Sequence, residues 1–432
     1  MTAKALGVPD QSGVRAERGA AEMLTESKGE NRRMTIICKT FAGCEPQVLG
    51  ETEDFVPPSQ ENSVLISFHT SRRLRHDLER NRFTHVQEFS ILPDRSQPRW
   101  LLPVKTSLML SGLKLYVPFS IRGSLFKSLL TGMIRLGWKG QTSTKVLLAS
   151  RKPLPLQALV SEVTGEKQPE FALSLGNVDQ FHALVVQVMR PDGEILGYIK
   201  LPLTVAAVEC VRNEAKVLDH LWESSSALHP HVPRVLHSGD WENDFILFQS
   251  GGPRKPGPPR FGKMHEDFLG LLQDVNFVEK PGCQLVEEFD RSWRCVEGSL
   301  DLEWRRVGQD ALRTAGQLLG ETKLRCGLIH GDFAPWNTRQ QDGQLYVFDW
   351  ESAKWQLPTM WDIFRFHERT SILLNEKQVR YPDDLKSPIE RASFLLYCLH
   401  SVLEALEARG RHVDAKSQHY KDQILRCLSR PV

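Results

Sequence analysis

Three side chains stand at a spacing suited to holding a metal ion beside a reactive hydroxyl. Leu328-Ile-His-Gly-Asp-Phe-Ala-Pro-Trp-Asn-Thr338 carries Asp332 and, five residues on, Asn337. Leu345-Tyr-Val-Phe-Asp-Trp-Glu351 carries Asp349. Each is a polar residue at the end of an apolar run. The Asp342-Gly343 pair between the runs is a two-residue turn signal, and a hairpin there returns Asp349 toward Asn337. Amide and carboxylate oxygens are the ligands that hard divalent cations such as magnesium select. Asp332 is then left to orient or deprotonate a hydroxyl.

The elements that must position these groups are read in chain order. The first 33 residues lack aromatic residues and the apolar core of a signal peptide, which predicts disorder, with Met34 an equally good start. Residues 34–165 form a region whose fold the pattern does not assign. Strands or extended segments are expected at Ser63–Phe68, Trp100–Val104 and Leu113–Pro118, and helices at Ser71–Asn81 and Arg122–Trp138. From Arg95 to Ser161 there are eleven Lys or Arg and no Asp or Glu. A basic amphipathic helix in such a run suits an anionic lipid surface, or it packs its apolar face on the next domain. No nucleic-acid-binding motif accompanies it.

From Phe171 the pattern changes to short strands. Phe171–Leu175, Leu184–Met189 and Leu196–Leu201 form an expected antiparallel meander with a Pro191-Asp-Gly193 turn. A helix over Val205–Trp222 follows, then strands at Arg234–His237 and Asp244–Gln249. Gly251–Pro259 interrupts regular structure and reads as a linker, after which residues 263–432 are largely helical.

Composition bounds the rest. The 432 residues carry a formal charge of +2 and are 25% charged, ordinary for a globular chain. Eight scattered cysteines form no ligand cluster or disulfide framework and favour a reducing cytosol. No apolar run reaches the length of a spanning helix.

The order of meander with lysine, helix with glutamate, linker, helices, His-Gly-Asp-x4-Asn and Phe-Asp-Trp-Glu resembles the aminoglycoside phosphotransferase and choline kinase family over residues 170–400. The resemblance implies an α+β, bilobal, protein-kinase-like fold: an N-lobe over 166–250, a linker over 251–262 and a helical C-lobe over 263–432. It implies an ATP- and Mg2+-dependent transfer of the γ-phosphoryl group to a hydroxyl of a small molecule. In that reading Asp332 is the catalytic carboxylate, His330 and Gly331 shape its loop, and Asn337 and Asp349 are the magnesium ligands. Lys200 would grip the ATP phosphates, paired with Glu214, with Glu209 as the competing partner. Gly176 and Asn177 would belong to the loop covering the nucleotide, where a full glycine-rich pattern is absent. The adenine hinge would lie near Gln249. Asp362 is either a support for the loop or a helix cap. Glu287, Glu288, Asp290 and Asp301 are candidates for holding a cationic acceptor. Only eleven residues separate Glu351 from Ile363, too few for a protein-substrate platform. The remaining alternative is a non-catalytic nucleotide-binding module.

Overall fold

The computed structural model describes residues 30–43, 46–49, 63–68, 70–93, 98–118, 121–138, 145–176, 183–241, 244–275, 277–374, 385–408 and 413–429. They divide into two compact units, one of 1–219 with 233–252 and one of 220–232 with 253–432.

The first unit begins with α1 (Glu30–Ala42), β1 (Gln47–Leu49), β2 (Leu65–Ser67), α2 (Arg72–Arg80), β3 (His85–Leu92) and β4 (Trp100–Pro103). It continues through α3 (Thr106–Gly112), α4 (Ile121–Arg135), β5 (Lys145–Ser150), α5 (Pro155–Thr164), β6 (Glu170–Ser174), β7 (Ala183–Met189) and β8 (Ile195–Pro202). Helix α6 (Val205–Ser224) runs into the second unit, and β9 (Val235–Trp241) and β10 (Asp244–Ser250) complete the first. All ten strands join one sheet in the order β1-β2-β5-β3-β4-β6-β7-β8-β10-β9.

This sheet joins what the sequence divides. Strand β4 pairs antiparallel with β6 through Trp100↔Ser174 and Leu101↔Leu173, so residues before 166 extend the expected meander. One apolar core runs under both parts: Phe41 of α1 meets Phe89 at 6.0 Å and Phe171 at 5.2 Å, edge-on. Helix α1 starts at Glu30, so residues 30–33 are helical where disorder is expected, and Met34 is buried within that helix. The segment Leu113–Pro118 is not a strand. Helix α3 precedes it and Leu113–Leu115 continue as a 3-10 turn, because Leu108, Met109 and Leu113 bury at helical spacing against the sheet. A Cβ on Gly112 would come within 2.7 Å of Ala172, so α3 lies against β6 at a distance that only glycine allows.

The second unit contains β11 (Lys255–Pro256), α7 (Lys263–Gln273), β12 (Val278–Pro281), α8 (Gly282–Glu297), α9 (Leu302–Leu319) and β13 (Lys323–Ile329). After these come β14 (Thr338–Gln341), β15 (Gln344–Val347), β16 (Lys354–Pro358), α10 (Trp361–Leu373), α11 (Pro388–Ala408) and α12 (Ala415–Leu428). Helices α8, α9, α11 and α12 share a core that includes Trp293, Trp304, Leu395 and Tyr420. The expected linker is partly structured, since Lys255 and Pro256 pair with Gln340 and Arg339 of β14. At the edge of that small sheet proline's missing N–H is tolerated. Strand β13 is held between β12 and β16.

Behind β13 and β14 lies a second core made of rings. Phe268 stacks on Phe333 at 6.0 Å, Phe333 meets Phe366 at 5.2 Å, and His265 meets Phe366 at 4.4 Å. His265 is fully buried and its Nδ1 accepts the Gly262 N–H at 3.1 Å. Burial pushes its pKa down from 6.5 to about 4. A depressed imidazole pKa means that the fold holds the neutral ring. Its contribution is complete above pH 6.5 and is lost as pH falls toward 4. The size is about 3 kcal/mol by the lower limit. In urea unfolding followed between neutral pH and pH 4, His265→Phe should therefore lose less stability with acid than the parent chain.

Candidate active site

Strand β13 alternates exposed and buried residues at its start and then buries Cys326 to Ile329, so it enters the core and delivers the next residues at its far end. Gly331 follows with φ +78°, and a Cβ there would meet the Ser352 carbonyl oxygen at 2.1 Å. The turn thus requires glycine twice, for its backbone angle and for its space. The Asp332 N–H donates to His330 Nδ1 at 3.3 Å, so His330 carries its proton on Nε2, which donates to the Phe348 carbonyl at 3.1 Å. Both ring nitrogens are committed to backbone. The geometry of His330 is that of a positioning residue for the loop.

Asn337 closes a 3-10 turn over Pro335–Asn337 and is buried. Its Nδ2 donates to the Asp332 carbonyl at 2.9 Å and to Asp332 Oδ2 at 3.1 Å. With the amide nitrogen fixed on Asp332, the Asn337 Oδ1 is directed away from it. The hairpin forms as the Asp-Gly signal predicts. Thr338 pairs with Val347 and Gln341 with Gln344, and Asp342 and Gly343 both take positive φ, +51° and +79°. The ladder extends one step further, since the Phe348 N–H donates to the Asn337 carbonyl at 3.2 Å. Asp349 comes next, in the left-handed region at φ 74° and ψ 56°, where aspartate is tolerated better than most residues. The hairpin therefore ties the chain at Asn337 to the residue beside Asp349. An amide oxygen and a carboxylate form a hard donor set, and that chemistry fits a magnesium ion.

One face of α10 holds the loop from behind. Asp362, Phe366 and Arg369 recur at i, i+4 and i+7, the spacing of a single helix face. Asp362 is buried, and its carboxylate accepts the His330 N–H at 2.7 Å and the Gly331 N–H at 3.1 Å. Burial raises its pKa, opposed by His330, these two N–H groups and Arg365. Met360 occupies the helix cap, so of the two readings for Asp362 the geometry is that of a loop support. Phe366 packs on Phe333. Arg369 reaches Asp332 itself, with Nε at 3.1 Å and Nη2 at 2.9 Å from Oδ1. The sequence reading missed Arg369, and its signal was the seven-residue step from Asp362.

The opposite side of α10 is latched to the helical core. The Tyr397 hydroxyl donates to Glu368 at 2.5 Å, the Tyr420 hydroxyl at 2.8 Å, and Arg365 donates to the Tyr420 oxygen at 3.0 Å. Burial acts to raise the Glu368 pKa, but Arg365, Arg369 and the two phenols bring it below the usual carboxylate range.

In the first unit, Lys200 on β8 and Glu214 on α6 form a buried ion pair, Nζ to Oε2 2.5 Å. Glu214 is fully buried and Glu209 is exposed, which settles the choice of partner. Gly176 sits at the end of β6 with φ +57°, and Asn177 lies outside the described residues. Gln249 is buried in β10, in register with Tyr198 of β8 on one side and Val235 of β9 on the other.

Three of the four acidic residues expected to hold a cationic acceptor are otherwise engaged. Glu288 takes Lys280 at 3.0 Å, Asp290 takes Arg294 at 2.7 Å, and Asp301 caps α9 through the Trp304 N–H at 2.8 Å. Glu287 is exposed on α8. The roles of Glu288, Asp290 and Asp301 are those of two surface pairs and a helix cap.

Residues 183–369 match the model of the phosphotransferase enzyme family, APH. No curated protein matches the sequence. Among solved structures, a thermostable mutant of aminoglycoside phosphotransferase APH(4)-Ia, in a ternary complex with ADP and hygromycin B, is similar at 12% identity and TM-score 0.43. That match covers 63% of this chain and 97% of the other. The GDP complex of aminoglycoside 2'-phosphotransferase-IIIa is similar at 12% identity and TM-score 0.41, covering 63% of this chain and 97% of the other. A putative fructosamine-3-kinase from Haemophilus somnus 129PT is similar at 12% identity and TM-score 0.41, covering 63% and 96%. The matched residues 183–369 contain β7, β8, the Lys200–Glu214 pair, the His-Gly-Asp loop, the hairpin and Arg369. Through them the chain has the α+β, protein-kinase-like fold of the APH phosphotransferase family, with an additional N-terminal α/β region.

Proposed function

We propose that the chain is a kinase of small molecules, transferring the γ-phosphoryl group of ATP to an acceptor hydroxyl. The observation that carries this reading is the Asp332 carboxylate, fixed by Asn337 on one oxygen and standing at a glycine turn that its own backbone stabilises. Asp332 accepts the proton of the attacking hydroxyl. Lys200, held by Glu214, grips the nucleotide phosphates, and Gly176, Asn177 and the Gln249 backbone belong to the same nucleotide-binding role. Asn337 and Asp349 would hold magnesium, which when bound neutralises charge on the transferring group. Phosphoryl transfer needs positioning and electrostatics more than covalent help, so this short set suffices. ADP and hygromycin B together in one similar structure support a nucleotide donor and a small acceptor. A protein acceptor is disfavoured because the segment between Glu351 and Ile363 is taken up by β16, which pairs with β13.

The test is MgATP-dependent thermal stabilisation followed by ATP turnover over a panel of small alcohols. Asp332→Asn should leave MgATP binding nearly intact and lower transfer by about 10²-fold or more. Asp349→Ala should remove the magnesium dependence of binding. Nucleotide binding with no turnover, indifferent to Asp332→Asn, would favour the non-catalytic module.

A second reading concerns where the enzyme works. On α4 the inner residues Leu130 and Ile134 are buried, whereas Leu125, Phe126, Leu129 and Met133, with Leu136 just beyond, are exposed, Leu136 by 91%. Arg122 and Arg135 are exposed beside this apolar strip, and half-buried Lys127 adds its charge while its ammonium donates to the Tyr116 carbonyl. An exposed apolar strip flanked by arginines, in a segment with no acid, fits an anionic membrane surface on the cytoplasmic side. No described helix is long and apolar enough to cross a membrane. Flotation with phosphatidylcholine vesicles, with and without phosphatidylserine, tests the idea. Binding should need the anionic lipid, and Arg122→Gln with Arg135→Gln should weaken it about thirtyfold, from about 1 kcal/mol per charge. Equal binding to both vesicles, or none, would remove the membrane from the account.

A further inference from the structure

Arg369 is bound to the group that the reaction needs as its base. Its Nε and Nη2 both face Asp332 Oδ1, while Oδ2 takes Asn337. A guanidinium has five N–H donors in a fixed fork. Two are directed at Asp332, and among the described residues no other hydrogen-bond acceptor is recorded for the rest. The side chain is 22% exposed and Asp332 27%, so the fork reaches solvent beside the carboxylate. The Trp336 ring lies 5.9 Å from the guanidinium on the loop side. Arg369 is also anchored, standing on the α10 face that holds the loop and next to the latched Glu368.

Resting on the kinase reading, we propose that Arg369 is a specificity residue that grips an anionic group, phosphate or carboxylate, carried by the acceptor near its reactive hydroxyl. Two observations agree. Three of the four acidic side chains considered for a cationic acceptor are spent on Lys280, Arg294 and a helix cap, and the fourth, Glu287, is exposed on α8. The charged group bound to Asp332 among the described residues is a cation with uncommitted donors. An acceptor anion docking on the free edge of the fork would place the neighbouring hydroxyl within reach of Asp332. The same edge also suits the γ-phosphate of the nucleotide, so the test must separate the two sources of anion.

The experiment uses the full chain at saturating MgATP with matched acceptors: glycerol and glycerol 3-phosphate, glucose and glucose 6-phosphate, gluconate, and kanamycin and choline as cations. The anionic member of each pair should exceed its neutral parent in kcat/KM by about tenfold or more, the worth of a charge-assisted hydrogen bond. Arg369→Gln should erase that ratio and Arg369→Lys restore part of it, with KM for ATP changed less than about twofold. If no acceptor is turned over, thermal shift in the AMP-PNP and magnesium complex decides. Glycerol 3-phosphate or gluconate should stabilise the parent and not Arg369→Gln, and no shift in the parent overturns the proposal. Preferred transfer to kanamycin, choline or a neutral parent overturns it while keeping the kinase reading. A rise in KM for ATP in Arg369→Gln, with the acceptor ratio intact, assigns the fork to the nucleotide and also overturns it. Absence of any MgATP stabilisation is the separate failure of the kinase reading.

Discussion

A buried carboxylate under a backbone turn is the constraint on which the site depends. Asp362 accepts the N–H groups of His330 and Gly331, two donors that the tight turn points inward, away from water. Buried N–H groups without partners are costly, and a buried carboxylate without donors is costlier still. Each side resolves the other's desolvation. The turn then has one stable geometry, and that geometry sets where Asp332 leaves the backbone.

The other contacts act through the same helix. Phe366, one turn after Asp362, fills the ring cluster behind the loop, and Arg369 ends the face on the Asp332 side chain. On its far side α10 is fixed by Glu368 between the hydroxyls of Tyr397 and Tyr420. Displacing α10 would break a charged network in the core and move the loop together with it. The proposed phosphoryl transfer asks for few catalytic groups held without slack, and this helix supplies that rigidity.

Much of the site was legible because its signals are local. Asp342-Gly343 specifies a type I′ turn, so the pairing that ties Asn337 to the end of β15 followed from two residues. The Lys200–Glu214 pair was legible through the family resemblance, which sets a strand lysine against a glutamate on the next helix, and burial separates Glu214 from its competitor Glu209. What was not legible depends on distant pairing. Nothing near Trp100 says that it lies beside Ser174, so the N-terminal strands were left apart from the sheet that they extend. Lys255-Pro256 looked like a linker because a proline breaks most strands, and its partner β14 lies more than 80 residues on. Arg369 has no partner near it in the sequence, since only the position of Asp332 gives that helix position its role.

The central claim is that the His-Gly-Asp turn is a phosphoryl-transfer loop whose geometry Asp362 enforces. The most direct measurement is the steady-state turnover of Asp362→Asn against the parent chain, with phosphorylated product followed by 31P NMR. The amide is isosteric but offers one acceptor oxygen where the carboxylate offers two, each with charge. Loss of hydrogen bonds to a charged group is worth about 1.5–3 kcal/mol, or about a ten- to hundredfold fall in kcat. The account predicts that fall with KM for ATP nearly unchanged. Turnover equal to that of the parent would contradict it.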